Sequence, residues 1–174
     1  RKAKTINFGL IYGMGPQKLS RELNIRMQEA KEFIEVYFSR LQGVSKFFQE
    51  VEEIAKEKEY ITTIAGRRRY LKEINSRNEN LAGQAKRIAI NTRIQGSAAD
   101  IIKMAMIETE NNTRLQENKA KLILQVHDEL LFEVPQESAR DSGTKISEIM
   151  SNIVSLNVPL TVEWGMGKNW AEAH

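Results

Sequence analysis

Apolar residues recur at helical spacing through most of the first half of the chain, and the pattern changes character twice. Residues 1–12 predict a helix ended by Gly13 and Gly15, with Pro16 just beyond. Residues 16–60, rich in Glu, Lys, Gln, Phe and Ile, continue as helix. Their stripe of Phe33, Val36, Tyr37 and Leu41 reads most simply as core packing, and Gly43 as the break between two helices. Around Tyr60 the period shortens: Ile61 to Ile64 favour a strand, Ala65-Gly66 a turn, and Arg69-Tyr70-Leu71 a return. Residues 79–109 are again helical, with a kink expected at Gly96. The best strand signal is Leu122 to Val134, where Leu-Ile-Leu-Gln-Val and Leu-Leu-Phe-Glu-Val flank His127-Asp128-Glu129. A helix over 137–155 and a final strand over Pro159–Trp164 complete the prediction. The expected class is α+β, a helical first part followed by a mixed second part.

Bulk composition narrows the chemistry. A chain of 174 residues, 41% hydrophobic and 28% charged, is ordinary globular protein with enough length for a core. It has no cysteine, which excludes disulfide scaffolds, thiolate metal sites and cysteine nucleophiles, and fits a reducing, cytoplasmic location. No apolar run approaches the about 18 residues of a membrane span, so no membrane partner is expected. The net charge of +3 is mild. Its distribution says more: Arg67, Arg68 and Arg69 are consecutive, with Lys72, Lys86, Arg87 and Arg93 following, while acids gather between Glu50 and Glu59 on what reads as a solvated helix face. The chain starts on arginine, as though cut from something longer.

Three constellations carry candidate chemistry. Lys4, Phe8 and Tyr12 are spaced i, i+4, i+8 and share a helix face, with Arg1 one turn away. A cation followed by two flat rings suits a nucleoside triphosphate; the plainer reading is a surface lysine over core aromatics, disfavoured because Gly9 and Gly13 weaken the helix. Arg87, Asn91 and Gln95 form a polar stripe on an otherwise apolar helix. Such a stripe is either a solvated face, a set of internal helix bonds, or a row of donors for the minor groove, where every base pair offers acceptors. Third, His127-Asp128-Glu129 sits between two apolar strands, where a hairpin bend exposes all three together. Adjacent carboxylates favour a hard cation such as magnesium, which keeps waters and bridges to phosphate; the plainer reading is a polar turn.

Taken in order, these motifs resemble the family A DNA polymerases, the bacterial DNA polymerase I type. Lys4, seven residues, then Tyr12-Gly13, with Asn7-Phe8-Gly9 between, is similar to that family's fingers helix. Val126-His127-Asp128-Glu129 is similar to its palm motif, and Arg87, Asn91 and Gln95-Gly96 to the helix linking the two. Ala65-Gly66-Arg67-Arg68-Arg69-Tyr70 and the run from Val158-Pro159-Leu160 to Trp170 also fit.

The resemblance implies helical fingers over residues 1–75 and part of the antiparallel-sheet palm of a right-hand polymerase over 76–174. It implies that Lys4, with Arg1, contacts the incoming deoxynucleoside triphosphate, that Phe8 packs on its sugar and base (phenylalanine there going with poor acceptance of dideoxynucleotides), and that Tyr12 sits beside the template base. Arg87, Asn91 and Gln95 would touch primer–template DNA, and Arg67 and Arg68 template phosphate. His127 would approach the primer terminus, with Asp128 binding metal and Glu129 assisting. Nucleotidyl transfer of this kind uses two Mg2+ ions about 3.5–4 Å apart, with cations and positioning supplying most of the rest.

Departures matter as much. The family's palm needs a second metal-binding aspartate, in an Asp-Tyr-Ser-like strand context. The only aspartates here are Asp100, Asp128 and Asp141, and neither Asp100 nor Asp141 has that context. The family's fingers arginine falls just before Arg1, and thumb and exonuclease parts are not in this sequence, whereas Trp170 to His174 resembles the family's terminus. The expectation is therefore a segment that works only with an N-terminal half, whether from the same parent chain or a separate polypeptide, and is poorly soluble alone. Arg93 stands where many family members carry proline, and reads as exposed; Leu41-Gln42-Gly43-Val44 lacks an expected proline before its glycine. Competing readings are a single-subunit RNA polymerase segment, which Asn7-Phe8-Gly9 with His127-Asp128-Glu129 argues against, a non-catalytic nucleic-acid-binding module, and a purely structural helical protein, which leaves the His-Asp-Glu bend unexplained.

Overall fold

The computed structural model describes residues 2–173. It divides into two compact units, residues 1–97 and 98–174, with the boundary at Ser97/Ala98 inside a helix.

In the first unit, α1 (Lys2–Ile11) is followed by α2 (Pro16–Leu23), whose Pro16 occupies the first turn, where the missing N–H costs nothing. Then come α3 (Met27–Arg40) and α4 (Gln42–Lys58). The break between them falls at Leu41, and Gly43 lies inside α4, one residue past its start. The predicted stripe is also displaced. Phe33, Val36 and Leu41 are exposed, and it is Ala30, Ile34, Tyr37 and Phe38 that close over Leu10 and Leu19. The buried face of α3 thus lies about one position away from the predicted stripe, with Tyr37 common to both.

Strands β1 (Tyr60–Thr62) and β2 (Arg68–Tyr70) pair antiparallel, Tyr60 opposite Tyr70 and Thr62 opposite Arg68, as the shortened period predicts. Ile61 points into a core with Val51, Ala55, Leu71, Ile74, Ala85 and Ala89, so α4, the hairpin and α5 (Glu79–Asn91) share one apolar centre. Glu52 ties α4 to α5 through Lys86 at 2.6 Å and to its own helix through Lys56 at 2.7 Å. Burial pushes its carboxyl up, but the two ammonium groups outweigh that and hold it below its ordinary value. Where a kink was expected, Thr92–Gly96 forms one turn of π-helix before α6 (Ser97–Asn111).

The second unit adds α7 (Thr113–Glu117), β3 (Lys121–Val126), β4 (Glu129–Glu133), a 3-10 turn over Gln136–Ser138, α8 (Ala139–Asn152) and the short α9 (Trp170–Ala173). The two strands form an antiparallel hairpin with Val126 opposite Glu129. Asp141 on α8 receives both Nε and Nη2 of Arg114, and the amide of Asn118 at 2.8 Å. These donors, Arg114 first, hold its carboxyl below the ordinary value. Asp141 is thus a brace between α7 and α8, and Asp100 is buried within α6, so neither stands on a strand.

The final strand over Pro159–Trp164 does not form among the described residues. A strand exists only through a ladder partner. This segment instead lies against α8: Ser147 Oγ donates to the Val162 carbonyl at 3.1 Å, and the Trp164 ring covers Gly143, where an added Cβ would sit 2.5 Å from it.

Candidate functional site

The first unit brings two of the three constellations together. On α1, Lys4 Nζ lies 5.6 Å from the Phe8 ring centre, and the Phe8 and Tyr12 rings are 6.4 Å apart and within 10° of parallel. The i, i+4, i+8 spacing therefore yields a continuous ammonium–ring–ring row. Lys4 and Phe8 are exposed, which removes the reading of Phe8 as a core aromatic. Arg1 lies outside the described residues.

Gly13 and Gly9 each have a packing reason. Gly13 adopts φ +82°, and an added Cβ would sit 2.7 Å from Arg87 Cγ; one at Gly9 would meet the Met14 methyl. Gly13 thus lets the chain turn out of α1 and lets the Arg87 stem pass directly over it.

Arg87, Asn91 and Gln95 are all exposed and line one shallow groove with Tyr12, Ile88 and Gln84. Gln95 Nε2 donates to the Tyr12 hydroxyl at 2.5 Å. The donor row is therefore a solvated face directed at the aromatic row. Gln84 was missed, although stepping one turn back from Arg87 on the same face reaches it. A second groove beside it is lined by Thr63, Arg67, Arg68, Arg69, Asn91, Thr92, Gln95 and Gly96. Arg67 Nη2 donates to the Gly96 carbonyl at 3.1 Å, and Arg68 lies over the Tyr60 ring at 4.9 Å. A groove walled by three arginines and amide donors, with no carboxylate in its lining, suits a polyanion.

In the second unit, His127 and Asp128 form a two-residue bend between β3 and β4, and Glu129 opens β4. All three are exposed. His127 takes φ 54°, a left-handed conformation unfavourable for a residue with a Cβ. Its carbonyl accepts the Gln125 amide at 3.0 Å, so Gln125, a polar residue in an apolar strand, helps hold the bend. A cleft runs from Asp128 and Glu129 along Leu131 to Ile146, Met150 and Trp164.

Adjacent Asp128 and Glu129 are hard oxygen donors on an accessible bend, and magnesium takes one or two carboxylates with phosphate and water completing its shell. The donor chemistry fits. Among the described residues, however, no group of three or more His, Asp or Glu side chains is placed to hold a metal.

An aromatic and cationic row thus meets a donor row in the first unit, and a carboxylate bend stands on a hairpin of the second. The chain belongs to DNA polymerase family A, whose model matches residues 1–172. It is 47% identical over 175 residues to DNA polymerase I of Bacillus caldotenax and 46% over 173 residues to that of Geobacillus stearothermophilus, each match covering 99% of this chain and 20% of the relative. The DNA polymerase I of Lactococcus lactis subsp. cremoris is 42% identical over 173 residues. The chain thus spans about a fifth of the length of the curated relatives it matches. Among solved structures, the POL domain of Pol1 from M. smegmatis, in complex with DNA primer-template and dNTP, superposes with a TM-score of 0.93 at 41% identity, covering 99% of this chain and 30% of that one.

Proposed function

We propose that the chain is the C-terminal segment of a DNA-directed DNA polymerase that adds deoxynucleotides to a primer 3′-hydroxyl, and that it acts only with an N-terminal polymerase part. The observation that supports this best is the convergence of Tyr12 with Arg87, Asn91 and Gln95 on one groove, in a chain matched along its whole length by the family.

In this reading residues 1–75 are fingers and 76–174 palm. Lys4, joined by Arg1, neutralises triphosphate charge, and the exposed Phe8 ring offers its face to sugar and base. Tyr12, held by the Gln95 amide, stacks beside the template base. Asn91 and Arg87 present donors to the minor groove, testing pair shape without reading sequence. Arg67 and Arg68 grip template phosphate, giving salt-sensitive, sequence-independent affinity.

His127 approaches the primer terminus from its strained bend. Asp128, assisted by Glu129, would hold Mg2+, which when bound neutralises phosphate charge and lowers the barrier to attack. The partners are primer–template DNA, deoxynucleoside triphosphates and the N-terminal half that carries the other carboxylate. No helix among the described residues is long and apolar enough to cross a membrane, and cytoplasmic action belongs to the same proposal.

Primer extension with magnesium and four deoxynucleotides tests it. The chain alone should be inactive, and the chain combined with a family A N-terminal part should extend the primer. Binding of primer–template by the assembled halves without any extension would replace this reading with a non-catalytic module.

A further inference from the structure

The π-turn that carries Gln95 is tied to the β1–β2 hairpin on both sides of Gln95. A turn closed i→i+5 displaces backbone groups from the regular ladder, and they need other partners. Here the Gly96 carbonyl accepts Arg67 Nη2 at 3.1 Å, and the Arg93 carbonyl accepts Ser97 Oγ at 2.5 Å. That same hydroxyl oxygen accepts the Ile64 N–H at 2.9 Å. Gly96 lets the turn approach so closely that an added Cβ would lie 2.9 Å from Thr63 Cγ2.

Arg93 completes the set from its side chain. Its Nη1 donates to the Thr62 carbonyl at 2.9 Å and the Thr62 hydroxyl at 3.2 Å. The residue is half-buried, not exposed as the sequence suggests. Charge-assisted bonds to a strand carbonyl are stronger than neutral ones, and a planar guanidinium reaches two acceptors in a fixed direction.

We propose that Arg93 is a positioning residue for Gln95. By clamping the π-turn to β1 it fixes the direction from which the Gln95 amide meets Tyr12, and it makes the hairpin arginines and the donor row one rigid surface toward primer–template. The idea rests on the polymerase reading for its ligand, and on the hydrogen bonds above for its geometry.

The test is a double-mutant cycle in a chimera in which this segment replaces the matched part of the Geobacillus stearothermophilus DNA polymerase I. Arg93→Ala should raise KM for primer–template about tenfold and leave kcat within about twofold, because a reoriented donor weakens grip without touching the reacting atoms. Arg93→Lys, with one donor able to reach Thr62, should recover part of the loss. Thr62→Val, which keeps the carbonyl acceptor, should shift KM the same way by less, and serves if Arg93→Ala does not fold. Combined with Gln95→Ala, the Arg93→Ala substitution should add almost nothing. Additive effects, or a lowered Tm with unchanged KM, would show that Arg93 only braces the fold. Affinity read by fluorescence anisotropy needs no turnover, so an inactive parent chimera would count against the polymerase reading while the cycle still judges Arg93.

Discussion

The two units hold their candidate residues in opposite ways. In the first, several candidate side chains are held by neighbours: Gln95 holds Tyr12, Gly13 makes room for Arg87, and Arg67 and Arg93 bind the π-turn to the hairpin. In the second, Asp128 and Glu129 stand on a bend whose own sheet has two strands, with Ile123 56% and Leu124 45% exposed beside it. The proposed grip on nucleotide and template would thus be assembled within this chain. The proposed metal-binding role of the bend would need groups from elsewhere, and a two-stranded ribbon gains stability only when more surface covers it.

The sharpest test of that contrast is Asp128→Ala in the assembled enzyme. Single-turnover extension should fall by roughly a hundredfold or more, as when a charge-stabilising group is removed, while primer–template affinity measured by anisotropy stays near wild type. Equal losses in both would mean that the bend is part of the grip.

Within the first unit, Arg68→Ala and Gln95→Ala should each weaken primer–template binding by roughly tenfold, but only Arg68→Ala should lower the slope of log affinity against log salt, by about one. Equal slopes would merge the two grooves into one kind of contact. Next in size, Gly13→Ala should cost about 1–3 kcal/mol by thermal melting, since it combines a positive φ with the Arg87 stem overhead. Gly15→Ala, at φ −80° with nothing within 4 Å, should be close to neutral. The smallest effect belongs to the second unit. The Asp141 carboxyl is depressed in the fold, so its contribution is present above the unfolded value of about 3.9 and is lost as pH falls through the lower folded one. Asp141→Asn should flatten the acid limb of stability only there, by chemical denaturation across pH 2–5.

What the sequence made legible follows from period and position. The Lys4–Phe8–Tyr12 row and the Arg87–Asn91–Gln95 row are helical arithmetic, and His127-Asp128 had to bend because two apolar strands flank it. The misses are tertiary. Phe33, Val36 and Leu41 have core chemistry, yet the face of α3 that packs with Leu10 and Leu19 is the one carrying the small Ala30. Pro159–Trp164 has strand composition, but a strand is a relation between segments, and here the segment binds α8. Arg93 looks like any surface cation until β1, some thirty residues earlier in the chain, offers it Thr62.

The bend at His127 has a consequence for how this segment would drift under selection. Its left-handed backbone is one that glycine or asparagine adopts at lower cost, so a screen rewarding only thermal endurance would drive the imidazole out. Under the proposed role at the primer terminus, a histidine that persists there would record demand from the reaction and not from the fold, and its rate of loss in a library would separate the two pressures at a single codon.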